Sequence, residues 1–285
     1  GRRAVKLTRP SDGVALLERL DFRPSRVQGQ NFLIDCNILE ILLRSGDVGP
    51  ADLVLEVGPG LGIVTGPLLQ RAARVVAIEK DDRLHGHLAG TFADQPALEL
   101  IHADALSVDL EAILGSGVNK LVANLPYGIA SRLLVELAES ANRPERMVAT
   151  VQQEVAERLT ATPGTKAFGV LSVLVQYRYR ARLVKLISEN CFYPRPKIRS
   201  GIVQMEAHGR PGASDDQGFK TLVKHAFSRR RKQLGSLLPS MPGARIGRPQ
   251  AQALIAEAGL DPTARPETLA VEDWIRLADK MAGGT

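Results

Sequence analysis

The chain has 285 residues, 44% of them hydrophobic, and 37 Lys and Arg against 31 Asp and Glu give a formal net charge of +6. That length suits one large domain and one small one, and no stretch approaches the roughly 18 uninterrupted apolar residues of a membrane helix. The N-terminus lacks the layout of a secretory signal, so we expect a cytoplasmic protein without membrane contact. Two cysteines are too few for a disulfide framework or a zinc site, so no metal is expected.

The first segment, Gly1 to Gln28, is polar and basic, with a short apolar helix expected at Val14–Leu20. The next segment, Phe32–Arg44, carries isoleucines and a leucine near helical spacing. It predicts an amphipathic helix.

Strands then alternate with helices for more than a hundred residues. Compact apolar runs predict strands at Leu53–Val57, Val75–Ile78, Leu98–His102, Lys120–Ala123, Met147–Gln152 and Ile202–Met205. Helical spacing predicts helices at Ile63–Arg71, Arg83–Thr91, Ser131–Ser140 and Glu154–Thr160. The alternation predicts an α/β, Rossmann-like fold with a mostly parallel sheet covered on both faces.

The composition changes after Met205. The segment His208–Gly218 is rich in Gly, Pro, Ser and Asp, which is typical of a linker. Helical patterns follow at Phe219–Phe227, Arg229–Leu238, Arg248–Ala258 and Val271–Met281. We therefore expect a large domain over residues 1–206, a linker over 207–218 and a small all-helical domain over 219–285.

The start of this helical region is strongly basic. No acidic residue lies between Phe219 and Arg248, whereas eight basic ones do: Lys220, Lys224, Arg229, Arg230, Arg231, Lys232, Arg245 and Arg248. A cluster of one sign suits a polyanionic partner, because neutralising phosphates releases counterions. A solvated helix face is the alternative interpretation.

A glycine-rich turn follows the first apolar strand, in the sequence Glu56-Val57-Gly58-Pro59-Gly60-Leu61-Gly62. Glycines here allow a ligand to approach the backbone, and a helix N-terminus offers unpaired N–H groups. The spacing departs from the dinucleotide pattern, because Gly62 falls one place early. A purely structural turn is the alternative.

Acidic residues end the next two predicted strands. Glu79 is placed to accept both hydroxyls of a ribose, and Asp104 to accept from an adenine amino group. A nucleoside without a pyrophosphate needs no complete dinucleotide pattern, so S-adenosylmethionine fits better than NAD. The alternative is that both acids are helix N-caps.

The fourth strand leads into Asn124-Leu125-Pro126-Tyr127. The lone pair of adenine N6 is delocalised into the ring, so acceptors that bind its two hydrogens would favour a pyramidal, nucleophilic nitrogen. The Asn124 side-chain oxygen and a backbone carbonyl near Leu125 or Pro126 are such acceptors. Pro126 stiffens the turn, and Tyr127 offers a face on which an extruded base can stack. The alternative is a strand-closing turn with Tyr127 in the core.

A second aromatic cluster runs from Cys191 to Ser200, with two prolines that hold the backbone extended. Phe192 is a candidate for the opposite wall of the base site, and Lys197 and Arg199 are candidates for phosphate contacts. A rigid loop before an edge strand is the alternative.

With these residues together, the chain resembles the ribosomal RNA adenine dimethyltransferase family, the small-subunit enzymes that modify two adjacent adenines. The likeness runs from about Gly29 to about Thr268, and the motif Gly29-Gln30-Asn31-Phe32-Leu33 would place Asn31 and Leu33 against the methionine end of the cofactor. It implies that Gly58, Gly60, Glu79, Asp104 and Asn124 bind S-adenosylmethionine. It implies catalysis by Asn124 to Tyr127 with Phe192, and RNA contacts by Lys197, Arg199 and Arg229 to Lys232.

Two positions depart from the family pattern: Gly128 stands where Asn is frequent, and Gly235-Ser236 replace an Asn after the basic helix. Three other functions stay open. They are methylation of one adenine in large-subunit RNA, a non-catalytic role in ribosome assembly or transcription, and a nicotinamide dehydrogenase. The tail from Phe219 onward, with Arg229 to Lys232 and Gly259 to Pro262, favours an enzyme acting on ribosomal RNA within the small subunit. We expect a monomer.

Overall fold

The computed structural model describes residues 10–19, 22, 30–242 and 246–283. These fall into two compact units, one formed by residues up to Ala156 together with Ala181–Ala207, the other by Glu157–Arg180 with His208 onward. Among the described residues, no helix is long and apolar enough to cross a membrane. Leu20 and Gly29, which the sequence analysis used, lie outside the described residues.

The strands, in chain order, are β1 (Phe32–Leu33), β2 (Leu53–Val57), β3 (Arg74–Glu79), β4 (Leu98–His102), β5 (Lys120–Asn124), β6 (Arg146–Gln152), β7 (Tyr179–Ile187), β8 (Phe192–Tyr193) and β9 (Ser200–Ala207). The helices are α1 (Pro10–Arg19), α2 (Cys36–Gly46), α3 (Thr65–Leu69), α4 (Asp82–Thr91), α5 (Leu110–Gly115), α6 (Ala130–Glu139), α7 (Gln153–Leu159), α8 (Val170–Gln176), α9 (Asp216–Ser228), α10 (Leu234–Leu237), α11 (Arg248–Glu257) and α12 (Val271–Gly283).

Seven strands form one sheet in the order β4-β3-β2-β5-β6-β9-β7. Strands β4, β3, β2, β5 and β6 run parallel, and β9 joins β6 in antiparallel pairing with Met147 opposite Met205. The mostly parallel, Rossmann-like sheet expected from the sequence is confirmed. Because β2 lies between β3 and β5, the chain order reverses there, which is where open α/β sheets bind ligands.

The parallel strands β2, β3, β5 and β6 are largely buried, whereas the edge strand β4 is partly exposed. Leu55, Val76, Val122 and Val148 are at most 1% exposed. Burying such side chains contributes about 1.5–3 kcal/mol each before the cost of ordering the chain. This core fixes the strand ends and the loops that follow them.

The predicted helix at Phe32–Arg44 is wrong at its beginning. Phe32 and Leu33 form β1, which pairs with β8, and α2 begins only at Cys36. The reason is Asp35, whose side chain accepts from the backbone N–H groups of Asn37 and Ile38 and so caps α2.

The predicted helix at Arg229–Leu238 is also wrong. Helix α9 ends at Ser228, residues 229–233 form a turn, and α10 contains only Leu234–Leu237. The backbone N–H groups of Leu234 and Gly235 donate to the carbonyls of Ala264 and Pro262 instead of to a preceding helical turn. Gly235 therefore stands where the chain passes close to the Pro262 carbonyl.

Candidate active site

A cavity of about 320 Å³ opens at the carboxyl ends of β2, β3, β4 and β5. Its lining includes Asn31, Gly58, Glu79, Asp104 and Asn124. Asn31 and Asn124, which are 93 positions apart in sequence, meet there, and the strand-end residues converge because parallel strands end at the same edge of the sheet. The structure thus brings together most of the predicted cofactor residues.

The turn after β2 takes a backbone conformation that favours glycine. Gly58 and Gly60 have φ of +71° and +58°, in the left-handed region. A Cβ on Gly58 would lie 2.8 Å from Cγ of Pro126, and one on Gly60 would lie 2.9 Å from Cε1 of Phe32. Both glycines are therefore required by close approach as well as by φ, and Gly58 brings the glycine turn against the Asn124–Tyr127 turn.

Glu79 ends β3 and is only 6% exposed. Its carboxylate accepts from the backbone N–H of Gly60 at 3.1 Å and from that of Asp81 at 2.9 Å. Burial raises the pKa of this carboxyl, and these backbone donors oppose that rise. Glu79 is not a helix cap, because Asp81 caps α4. It ties the glycine turn to the end of β3.

Asp104 follows β4 and accepts from the backbone N–H of Leu106 at 3.0 Å and from Nζ of Lys80 at 2.8 Å. The hydrogen bond from Lys80 is the main cause of a lowered pKa at this carboxyl. The cap of α5 is Asp109, so Asp104 does not cap a helix either. Lys80 directly follows Glu79 in the sequence but was not predicted as a site residue.

Glu56 is a buried carboxyl beneath the glycine turn, on β2. It is 1% exposed, and desolvation raises its pKa to about 8, with the nearby Glu79 charge adding to the rise. The Glu56 carboxyl is therefore protonated in the folded protein at neutral pH. The sequence indicated Glu56 only as the first residue of the glycine motif.

Among the described residues, only the nitrogen of the Asn124 side-chain amide has a hydrogen-bond partner. Its Nδ2 donates to the backbone carbonyl of Asn31 at 2.9 Å, whereas its Oδ1 is buried and has no partner among the described residues. A buried acceptor without a donor is costly, which points to a ligand donor at this position. The sequence predicted this oxygen as an acceptor for an amino hydrogen.

The other residues of the tetrapeptide are fixed by their neighbours. The Leu125 N–H donates to the Thr150 carbonyl at 3.2 Å, and Leu125 is 1% exposed. The Pro126 carbonyl accepts from Ile129, also at 3.2 Å. Since the Pro126 carbonyl is engaged, Leu125 offers the more available backbone acceptor.

Tyr127 is partly exposed, but its hydroxyl is anchored. The Tyr127 Oη and the Ser200 Oγ lie 2.5 Å apart. Burial raises the pKa of Tyr127, and the bond to Ser200 opposes the rise. Tyr127 is therefore not an ordinary core residue, because it is partly exposed and its hydroxyl is hydrogen-bonded to Ser200.

The remaining predicted site residues of this unit lie apart from the cavity. Phe192 and Leu33 are opposite each other in the β1–β8 pair, are at most 2% exposed and pack in the same core cluster. Neither lines the cavity. Lys197 and Arg199 are exposed on the segment between β8 and β9.

The basic residues of the helical unit differ in their contacts. Arg229, Arg231 and Lys232 are exposed, and Arg229 contacts the His225 ring. Arg230 is half-buried, with its Nε 3.6 Å from Oε2 of Glu267 and its guanidinium donating to the Thr165 carbonyl at 3.4 Å. Arg230 therefore has a structural role within its unit that its neighbours lack.

A family model described as ribosomal RNA adenine dimethylase matches residues 22–282. A protein of Clostridium perfringens named ribosomal RNA small subunit methyltransferase A is 39% identical over 269 residues, which cover 93% of each chain. Its namesake from Moorella thermoacetica is 38% identical over 280 residues, covering 94% of this chain and 96% of its own.

Two solved structures share the fold. A dimethyladenosine transferase from Plasmodium falciparum has a TM-score of 0.73 at 22% identity, covering 85% of this chain and 94% of its own. A 23S rRNA methyltransferase, ErmE, has a TM-score of 0.67 at 24% identity, covering 88% and 100%.

Proposed function

The chain belongs to the ribosomal RNA adenine dimethylase family, and from this membership we propose its substrate and site. It is an S-adenosylmethionine-dependent rRNA adenine N6-methyltransferase. The substrate is the pair of adjacent adenines in small-subunit rRNA that becomes N6,N6-dimethyladenosine during ribosome biogenesis. The curated relatives with 38–39% identity, named small subunit methyltransferases, support this choice over a large-subunit substrate.

The observation that carries the proposal is the unpartnered Oδ1 of Asn124. The amide nitrogen is occupied by the Asn31 carbonyl, so only the oxygen is free to bind a ligand. An exocyclic amino group supplies the missing donor, because its nitrogen carries two hydrogens and is itself the atom that receives the methyl group. With the Leu125 carbonyl as second acceptor, Asn124 would hold N6 in a fixed orientation, as in-line transfer requires.

The residues around the cavity suit S-adenosylmethionine. Close backbone approach at Gly58 and Gly60 leaves no room for Cβ atoms, and the acids at Glu79 and Asp104 are of the type that accepts from ribose hydroxyls and an adenine amino group. We assign cofactor binding to Asn31, Leu33, Gly58, Gly60, Glu79, Asp104 and Asn124. For Leu33, which is buried in the core and two residues from Asn31, the role is to support that segment.

When bound, S-adenosylmethionine supplies an electrophilic methyl group. The N6–C bond forms as the S–C bond breaks, the electron pair of the broken bond stays on sulfur, and the N6 proton passes to water. The chain contributes orientation and acceptors. Asn124 and Leu125 bind the amino hydrogens, Pro126 stiffens their turn, and Tyr127 provides a face for the base. No residue with a strongly shifted pKa is needed at N6, because the proton leaves after transfer.

Phe192 is proposed as the second aromatic residue of the base site. Because its ring is 2% exposed, it would meet a base only after the Phe192–Ser200 segment opens. Exposed Lys197 and Arg199 on that segment suit phosphates flanking an extruded adenine.

The helical region over residues 219–285 is proposed to bind rRNA, with residues 1–206 as the methyltransferase domain and 207–218 as the linker. By compactness, Glu157–Arg180 and the residues from His208 onward belong to the same unit as this helical region. Arg229, Arg231 and Lys232 suit direct phosphate contacts, because they are exposed, and Arg230 contributes charge while also holding Glu267. We further propose that the protein acts as a monomer in the cytoplasm.

The deciding experiment incubates the enzyme and S-adenosylmethionine with unmodified small subunits, and in parallel with unmodified large subunits. Mass spectrometry of the digested rRNA should find N6,N6-dimethyladenosine in two adjacent positions of the small subunit. Product on the large subunit alone would reassign the substrate. Binding of the subunit and the cofactor without any product would make the chain a non-catalytic assembly factor.

A further inference from the structure

Ser200 was not assigned a role of its own by the sequence. It is completely buried, and its Oγ lies 2.5 Å from the hydroxyl of Tyr127, 73 residues away in the chain. Ser200 does not line the cavity where the cofactor is proposed to bind. Any effect of the Ser200 hydroxyl on the site would therefore pass through Tyr127.

The backbone of Ser200 is held by the sheet. It is the first residue of β9, opposite Gln152 at the end of β6, and the next pair along, Gln153 and Arg199, is joined by a backbone hydrogen bond of 2.9 Å. Strand β6 also pairs with β5, which places Asn124 opposite Thr150. Ser200 is therefore a fixed point beside the strand that carries Asn124.

The hydrogen bond from the Ile129 N–H to the Pro126 carbonyl closes the turn around Tyr127, but it holds the backbone and not the ring. The next residue, Gly128, is exposed, and a Cβ built there would meet no atom within 4 Å. A glycine also leaves the backbone more freedom than any other residue. Burial restricts the Tyr127 ring, and the hydrogen bond between its hydroxyl and Ser200 adds a directional restraint.

We propose that Ser200 is a positioning residue that holds the Tyr127 ring against the target adenine, an inference that rests on the proposed function. Both ends of the tetrapeptide are then tied to flanking segments. Asn124 donates to Asn31 just before β1, and Tyr127 bonds to Ser200 at the start of β9. Ser200 also ends the Phe192–Ser200 segment, so it links that segment to the turn that receives the base.

Loss of this positioning should slow the second methylation more than the first. Unmodified adenine offers two N6 hydrogens to Asn124 and Leu125, whereas N6-methyladenine offers only one. The monomethylated base loses one hydrogen bond and depends more on stacking, which contributes about 1–3 kcal/mol per base in single-stranded sites. A mobile Tyr127 ring should therefore slow the second transfer more than the first.

The test uses Ser200→Ala, Tyr127→Phe and the double variant on unmodified small subunits. We expect each single variant to slow the second methylation relative to the first by about tenfold, the effect of one lost hydrogen bond, so that N6-methyladenosine accumulates. The double variant should be no worse than either single one, because both residues act through one contact. Cofactor affinity, measured by calorimetry, should stay unchanged.

Thermal stability separates positioning from a merely structural role. Each single variant leaves a buried hydroxyl unpaired and should lower the Tm, and the double variant should recover part of that loss. If the ratio of monomethyl to dimethyl product recovers together with the Tm, Ser200 is only structural. The matched control is Tyr177→Phe, which removes a tyrosine hydroxyl bonded to Asp216 in the helical unit and should lower the Tm without changing the product ratio.

The two proposals fail differently. If wild-type protein forms no methylated adenine on small subunits, the proposed function is wrong. If wild-type protein forms N6,N6-dimethyladenosine and Ser200→Ala gives the same product ratio over time, the function stands and the role of Ser200 is overturned.

Discussion

The Asn124 side-chain amide donates to the backbone carbonyl of Asn31 across 93 residues of sequence. This bond sets the orientation of the amide, because only its nitrogen can donate to a carbonyl. The oxygen is thereby left without a partner inside the site. A side chain at this position that has two oxygens and no N–H donor, such as Asp, should not be oriented in this way.

Replacing Asn124 by Asp should reduce methylation of small subunits by about a hundredfold or more, the scale seen when one preorganised catalytic hydrogen-bonding group is removed. The carboxylate would face the Asn31 carbonyl with no donor between them. The measurement is the single-turnover rate with saturating cofactor. Asn142→Asp, on an exposed loop, is the control and should keep wild-type activity.

Replacing Glu79 by Ala should weaken binding of S-adenosylmethionine by about a hundredfold, because charge-assisted hydrogen bonds contribute about 1.5–3 kcal/mol each. The Gly60 and Asp81 N–H groups would also lose their acceptor. Calorimetric titration measures the dissociation constant. Glu99→Ala removes an exposed acid from the neighbouring strand β4, and affinity equal to that of Glu79→Ala would contradict the assignment.

Two glycine-to-alanine changes should have opposite effects. Gly58→Ala forces a side chain into a φ of +71° and against Pro126, so it should abolish cofactor binding and lower stability. Gly86→Ala lies on the exposed face of α4, where a Cβ meets nothing within 4 Å, and should raise stability by about 1 kcal/mol. Denaturant unfolding measures both. Equal destabilisation would refute the steric argument at Gly58.

The raised pKa of Glu56 predicts how the free energy of unfolding depends on pH. The folded protein keeps its proton up to about pH 8, whereas the unfolded chain releases it above about the ordinary pKa of 4.5. The unfolded state therefore binds fewer protons between these values, and the free energy of unfolding should fall with rising pH by up to about 1.4 kcal/mol per unit.

The neutral variant Glu56→Gln should lack this contribution. We expect the variant and the wild type to be similar in stability near pH 5, and the variant to be the more stable of the two near pH 8. Urea unfolding at both pH values measures the difference. Parallel pH profiles would show that the carboxyl is ionised in the folded state.

Arg231→Gln should weaken rRNA binding and make the plot of log affinity against log salt less steep by about one unit, because one phosphate contact is lost. Arg230→Gln should additionally lower the Tm, since its contacts to Glu267 and Thr165 are lost. Filter binding at several salt concentrations gives the slopes. Lys280→Gln, on α12, is the control, and an equal change there would exclude a specific basic surface.

The sequence predicted the parallel strands well, because each is a short apolar run with a turn after it. It did not predict α8 or β7. The apolar run of α8, Val170–Gln176, fits a buried strand as well as a helix. In β7 the alternation of more and less exposed positions slips by one residue between Arg182 and Leu183, so the period of two that marks a strand is interrupted.

The glycine turn and the acids of the cavity could be predicted because Gly58, Glu79 and Asp104 lie at or just after the ends of strands. The contacts between Asn124 and Asn31, and between Tyr127 and Ser200, could not, since they depend on how β1 and β9 pair with distant strands. Neither could the burial of Phe192, because the motif around it gives the residue type and not the direction of the ring.

The order of strands in the sheet also determines when, during synthesis, the site becomes complete. A chain that has left the ribosome only as far as Gln152 carries the glycine turn, Glu79, Asp104 and Asn124, but β6 has a bare edge and Tyr127 has no anchor. Bare strand edges invite pairing with other chains. The nascent protein therefore passes through an interval in which every residue assigned to the cofactor has been synthesised but Tyr127 lacks its anchor, and that interval ends only when β9 emerges.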